Sequence, residues 1–449
     1  MHESSRYAWW LLILLFSLII ALNFALFGWM LSQPPKSVNR SLEEAEISLK
    51  LAFALGSDPA SNPLLNQALE ELESPVWEQQ VRKAIVQAYL GKKGYAETLQ
   101  RAAQLPAERL TPAERRWYTT LWAWALTGTH APERISGLLE ALSPTVSPFY
   151  LRLAEAVMTQ RAGEKAKAEQ IRDSLRRRGV LGVAVLFAIL IAVCLGVVIG
   201  LGVLLWVLVN PPRLPARPLE NASPFALDPL LWALIIFLLT VILSPAEFLA
   251  RFLEGFGVPL PETTLLNQLI ATALSLSYLH TVQERLETEV RWFAPNGFWK
   301  HALAVLTGGL AYVPIAVGGL VLVVLLGPAL SQLSHPFQEM AQGAENWLHW
   351  VVIFVQGVVL APIVEEFVFR GVLFQTLWQR TGRVWLSAFV SGFLFAVIHP
   401  QFLAGLIPLT AIGTVLALLF AYTRSLVPSI LLHAVNNLVA MLALWSIAS

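Results

Sequence analysis

The apolar run from Trp347 to Trp378 constrains this chain most, because Glu365, Glu366 and Arg370 sit in the middle of it. A run longer than about 20 apolar residues can cross a bilayer as a helix. In lipid the backbone has to satisfy its own hydrogen bonds, so the run must be helical. Charged groups at membrane depth are costly and turn towards a protein interior, where they pair or do chemistry. The run therefore needs neighbours. Other membrane helices must shield the two carboxylates and supply their partners.

The rest of the chain can provide them. Of its 449 residues 56% are hydrophobic and only 14% charged, against about 25% charged in a soluble domain. The mean hydropathy is +0.61. The net charge of +1 gives no reason to expect a nucleic-acid partner. The single cysteine, Cys194, lies in an apolar run, which leaves no intramolecular disulfide and no cysteine metal cluster. The apolar run from Ala8 to Leu31 is longer than a signal-peptide core and predicts a retained anchor helix. Further spans are expected at Val180–Val209, Leu230–Leu249, Leu265–Leu279 (short), Ala302–Leu326, Val384–Ile398 (short), Phe402–Tyr422 and Val427–Ile447. The charged stretch Gln283–Trp299 reads as a segment at the membrane surface. The predicted fold is all-α: a polytopic membrane bundle of eight or nine spans with a soluble helical domain inserted after the first. The expected divisions are an anchor at 1–32, the soluble domain at 33–178, further spans at 179–298 and a core at 299–449.

The inserted segment repeats. Helix-ending glycines fall at Gly56, Gly91, Gly128 and Gly163, spaced 35, 37 and 35 residues apart. Matching helix starts are Ser41, Ser74-Pro75, Thr111-Pro112 and Ser147-Pro148. Ser41 with Glu44 and Thr111 with Glu114 have capping-box spacing, and proline suits the first helical position. A helix–turn–helix unit of about 34 residues resembles tetratricopeptide-type repeats, although the tryptophan–glycine–tyrosine signature is incomplete. Stacked repeats create a concave surface, so this domain is expected to bind a protein or peptide partner. An irregular helical domain of similar size is the other reading.

Orientation follows from Lys and Arg in short loops. With the N-terminus inside, the inner segments hold Arg6, Arg213, Arg217, Arg285, Arg291, Lys300, Arg380, Arg383 and Arg424, and the outer short loops hold only Arg251. Arg176-Arg177-Arg178 then lies outside with the soluble domain, which a long domain permits. The alternative keeps that domain in the cytoplasm and makes Leu265–Leu279 re-entrant. The membrane is expected to be of bacterial plasma-membrane or thylakoid-like inner-membrane type.

Three groups can serve the glutamates. His399 ends the seventh run before Pro400, and His433 and Asn437 share a face of the last, four residues apart. Counting about 1.5 Å per helical residue from Arg380, Arg383 and Arg424 gives depths of about 22 Å for Glu365, 24 Å for His399, 13 Å for His433 and 19 Å for Asn437. All four fall in one buried layer. A carboxylate beside an imidazole can take a proton from water. A second imidazole and a carboxamide can donate to a developing oxyanion. Glu365, His399 and His433 could instead hold a zinc ion that acidifies water, although no helix carries His-Glu-x-x-His. Glu366 and Arg370, at i and i+4, read as an ion pair bracing their helix. Each group also has a plainer reading: a structural carboxylate, a helix-ending histidine, interhelical glue.

The ordered set Glu-Glu-x-x-x-Arg (Glu365, Glu366, Arg370), Phe-x-x-x-His (Phe395, His399) and His-x-x-x-Asn (His433, Asn437) resembles the CAAX-protease and bacteriocin-processing family (CPBP, or Abi) of intramembrane endopeptidases. Ala361-Pro362 and Gly371 fit the same pattern. The resemblance runs from about Trp299 to Ser449 and excludes the soluble domain and first spans. It implies that Glu365 is the general base, that His399 helps hold the water, and that His433 and Asn437 form the oxyanion site. The expected substrate is a membrane-associated, prenylated or otherwise hydrophobic protein. Water activation without a bound metal is the favoured form, glutamate-type rather than metallo-type, with zinc the alternative. A proton-coupled transporter using the same groups, or an inactive scaffold acting through its soluble domain, are competing functions. A transporter should show two related halves, and the sequence shows one site.

Overall fold

The computed structural model describes residues 10–21, 46, 48–53, 63–107, 110–210, 273, 277, 297–325, 347–399 and 402–448. Every element among them is helical. The chain divides into two compact units, residues 33–187 with 445–449 and residues 1–32 with 188–444.

The first unit covers the segment expected to be the inserted helical domain. Its helices are α2 (Pro63–Glu71), α3 (Trp77–Tyr89), α4 (Tyr95–Ala102), α5 (Pro112–Thr127), α6 (Pro132–Leu142), α7 (Pro148–Arg161) and the start of α8 (Lys165–Val209); α1 (Trp10–Ala21) belongs to the other unit. The expected punctuation is present where it can be seen. Thr111 and Glu114 form the capping box of α5, and Gly91 and Gly163 take the left-handed conformation, at φ 67° and 86°. The helix expected at Ser74-Pro75 starts at Trp77, behind an extended Val76. Ser41, Glu44 and Gly56 lie outside the described residues.

Among the described residues helical hairpins begin at Trp77, Pro112 and Pro148. Helix α3 packs against α7, two hairpins further on. Phe53 reaches Phe149 at 6.3 Å between ring centroids, and Ser147 Oγ donates to Glu46 at 3.0 Å. One continuous core results, around the fully buried Trp77, Trp122 and Tyr150. Trp77 Nε1 donates to Thr119 Oγ1 at 2.8 Å and Trp122 Nε1 to Thr145 Oγ1 at 3.0 Å. Large aromatics with a polar handle can be sealed in only when that handle is paired.

The second unit holds the apolar helices. Among the described residues five helices are long and apolar enough to cross a membrane: Lys165–Val207, Phe298–Gly319, Trp347–Thr381, Gly405–Thr423 and Leu426–Ser446. We name α9 (Phe298–Leu325), α12 (Phe402–Thr423) and α13 (Leu426–Ala448), the composite helix α10 (Trp347–Thr381) and the shorter apolar helix α11 (Val384–Val397). The runs at 230–249 and 265–279 lie outside the described residues, as do 22–32 of the predicted anchor and 278–296 of the predicted surface segment. Helix α9 starts at Phe298, four residues earlier than expected, because Phe298, Trp299 and Lys300 continue its first turn.

Helix α12 packs against α9 and α11. Gly392 and Gly413 meet where α11 crosses α12, and a Cβ on Gly413 would lie 2.6 Å from the Gly392 Cα. Such contact needs small residues, as membrane helix interfaces usually do. Around the crossing lie Phe369, Phe374, Phe395, Leu416 and Trp378, all essentially inaccessible. Lys300 sits over the Tyr422 ring at 5.2 Å and Arg424 over the Trp378 ring at 5.3 Å. The N-terminal end of α9, the C-terminal ends of α10 and α12 and the start of α13 therefore share one basic rim.

Candidate active site

Glu365 and Glu366 close a short α-helical segment of α10, Ala361–Glu366. It is held between two π-helical segments, Val355–Leu360 and Phe367–Phe374. In a π turn the backbone N–H bonds to the carbonyl five residues back, and such turns gather at functional sites. Ala361 N–H bonds to the Gln356 carbonyl in that register. The next carbonyl, Gly357, would bond to residue 362, which is proline and has no N–H. Asn437 fills the gap: its Nδ2 donates to the Gly357 oxygen at 2.8 Å. Asn436 Nδ2 in turn donates to Asn437 Oδ1 at 3.3 Å.

The two carboxylates have different environments. Glu366 is sealed, with no accessible surface, and Glu365 keeps 19% of its side chain exposed. Glu366 Oε1 lies 2.8 Å from Arg370 Nη1 and 2.8 Å from His433 Nδ1. Arg370, also fully buried, donates from Nη2 to the Gly413 carbonyl at 3.2 Å and stacks over the Phe395 ring at 4.7 Å. The close approach of Gly392 and Gly413 places that carbonyl in the core beside α10. Ser391 Oγ donates to the Phe369 carbonyl at 3.0 Å, a second tie between α11 and the π segment. Glu366 Oε2 and Arg370 Nε have no hydrogen-bond partner among the described residues. Buried polar atoms left this way are uncommon and mark a site worth a functional account.

His433 bridges the pair. An ionised carboxylate can only accept, so Nδ1–H donates to Glu366. In the neutral ring Nε2 then carries the lone pair, and it faces Glu365 Oε2 at 3.7 Å. A partner on one ring nitrogen fixes the proton state of the other. The predicted Glu366–Arg370 ion pair is present, and Glu366 also holds the His433 imidazole, a role its sequence spacing does not show. Glu365 and His433, predicted to lie in one buried layer, are brought together. His399 follows the end of α11, and its Nδ1 donates to the Phe395 carbonyl at 2.7 Å. Its ring packs against the Phe395 ring at 4.6 Å, and His433 packs against the same ring at 5.6 Å. The two histidines therefore flank one phenylalanine, and no hydrogen bond or ion pair joins His399 to Glu365 among the described residues. Asn437 is placed by Gly357, with one amide N–H left over.

A zinc ion would need Glu365, His399 and His433 to converge. Among the described residues no three His, Cys, Asp or Glu side chains do so as metal ligands would, and His399 Nδ1 is already committed to a backbone carbonyl. The donor set as placed does not fit a three-ligand metal centre. The arrangement it does form is a proton-accepting pair, Glu365 with His433, anchored from behind by the buried Glu366–Arg370 pair.

Residues 347–439 match the model of the family described as "Type II CAAX prenyl endopeptidase Rce1-like". Among curated proteins the chain is similar to an "Uncharacterized 24.3 kDa protein" of Escherichia coli, 27% identical over 150 residues, or 32% of this chain and 66% of that protein. It is also similar to the "Putative membrane peptidase YdiL" of Bacillus subtilis (strain 168), 31% identical over 87 residues, 19% of this chain and 34% of that protein. The chain thus spans less than two thirds of the length of either relative. No solved structure matches it. Glu365, Glu366, Arg370, His399, His433 and Asn437 all lie within the matched span, so residues 347–439 are similar to the type II CAAX prenyl endopeptidases over the whole of the candidate site.

Proposed function

We propose that the chain is an intramembrane endopeptidase that hydrolyses a peptide bond with water activated at the Glu365–His433 pair. The juxtaposition of Glu365 Oε2 and His433 Nε2 at 3.7 Å, on two different membrane helices, carries this reading. Glu365 is the partly exposed member of the carboxylate pair and so the one substrate and water can reach. It takes a proton from water as the oxygen attacks the carbonyl carbon. The proton passes to His433 Nε2 and from there to the leaving amine as the C–N bond breaks. General acid–base steps of this kind contribute about 10²- to 10⁴-fold each. Glu366 keeps Nδ1–H of His433 engaged throughout, so that Nε2 stays the exchanging nitrogen.

The oxyanion is assigned to the remaining Asn437 N–H, with the water held near His399. Donors fixed in place before the charge develops are worth most in a water-poor site. The substrate is a membrane-associated or prenylated hydrophobic peptide, in keeping with the matched family description. The soluble domain is assigned a partner- or substrate-presenting role. The transporter reading gains no support, because one site of this kind is formed among the described residues.

Cleavage of a farnesylated peptide and its unprenylated counterpart by protein in liposomes, followed by mass spectrometry, tests the proposal. The wild type should cut at least one of them, and Glu365→Gln should lower the rate at least about 100-fold. Equal cleavage by wild type and Glu365→Gln would refute the assignment.

A further inference from the structure

We infer that Arg176 and Arg177 form a binding site for an anionic phospholipid, with the phosphate at the guanidinium groups and an acyl chain along the following turns of α8. A cleft of about 440 Å³ runs along one face of this helix, lined by Asp173, Arg176, Arg177, Val180, Leu181 and Ala184. These positions follow helical spacing, so they form a single stripe, charged at its N-terminal end and apolar at the other.

Three observations select the ligand. First, the arginines are exposed, and none of them has a hydrogen-bond or ion-pair partner among the described residues. Arg172, one turn earlier, is in contrast engaged by Glu169 at 3.3 Å. Guanidinium groups match phosphate oxygens bidentately, so the two unengaged ones that line the cleft favour a phosphate. Second, the chain from Val180 to Val209 has no charged residue. The most apolar window of the helix, with mean hydropathy 3.1, is only 11% buried within the protein. Lipid must cover that surface, and its boundary falls at the arginines. Third, the lining changes from charged to apolar within one turn, the order in which a phospholipid presents headgroup and chain. An acidic peptide would satisfy the arginines but would leave Val180, Leu181 and Ala184 uncovered. Basic residues at a membrane boundary each contribute to holding anionic lipid.

Full-length protein purified in mild detergent and titrated with phosphatidylglycerol, then with phosphatidylcholine, tests this by native mass spectrometry. Wild type should retain phosphatidylglycerol in preference to phosphatidylcholine. Replacing two arginines, Arg176→Gln with Arg177→Gln, should weaken phosphatidylglycerol binding about 30-fold. Millimolar inorganic phosphate should not displace the lipid; displacement would mean a free-phosphate site and would overturn the proposal. Equal retention by wild type and the double variant, or equal retention of both lipids by wild type, would also overturn it. Thermal unfolding of the variant should match wild type, since both side chains are exposed. A remote exposed substitution, Arg152→Gln, should leave lipid retention unchanged, and loss there too would refute the site.

Discussion

Glu365 and Glu366 are consecutive on a helix, so they point in directions about 100° apart, and the core decides what each becomes. Glu366 turns into the packed side, where Arg370, Phe395 and His433 enclose it. Glu365 turns to the side that remains partly open. Breaking a buried ion pair leaves the other charge stranded. Glu366→Gln should therefore destabilise the protein by about 3–5 kcal/mol, seen as a lower melting temperature. It should also lower kcat with little change in KM, because a neutral amide no longer fixes which nitrogen of His433 exchanges its proton. If kcat stays at the wild-type value while stability falls, Glu366 is a structural residue only. The sequence makes much of this visible at residue scale: the Glu366–Arg370 spacing, the shared face of His433 and Asn437, and the isolation of Glu365. It hides the contact between Glu366 and His433, because a separation of 67 positions leaves no local pattern.

At the scale of elements the site rests on irregular backbone. Helix positions counted at the α-helical rise put Glu365 about 22 Å and His433 about 13 Å from the basic rim, yet their polar atoms lie 3.7 Å apart. The π-helical segment Phe367–Phe374, which lies between Glu365 and Arg380, accounts for part of that difference, since each π turn packs more residues into its rise. Such segments depend on tertiary support and have no period of their own in the sequence. Pro362 is the one local sign, and Asn437 supplies the support. Asn437→Ala should leave the Gly357 carbonyl unpaired and cost about 1–3 kcal/mol. Hydrogen exchange should then rise in 355–362 before it rises in α12. Unchanged exchange there would show that the amide does not hold the segment. Gly413→Ala tests the crossing of α11 and α12. Its Cβ would press on the Gly392 backbone, and overpacking of this kind costs about 1–3 kcal/mol. Melting at the wild-type temperature would show that the crossing can relax.

At the scale of the whole molecule, the described residues are all-helical, include five candidate membrane helices and divide into two compact units. Apolar length made the membrane helices legible, and glycine and proline punctuation made the helical hairpins legible down to the capping box at Thr111. The long-range packing of the first unit was not legible, because it depends on contacts such as Phe53 with Phe149, almost a hundred residues apart. The proposed function rests on the approach of α10 and α13 at Glu365 and His433. Its central claim is that Glu365 and His433 act as one proton-handling unit, and a double-mutant cycle on kcat/KM tests it most directly, with Glu365→Gln, His433→Ala and the combined variant assayed on the same peptide in liposomes. Residues that act as a unit are strongly non-additive, so the account predicts that the double variant is no slower than the slower single variant, within about threefold. Full additivity of the two losses, or a single variant with wild-type kcat/KM, would contradict it.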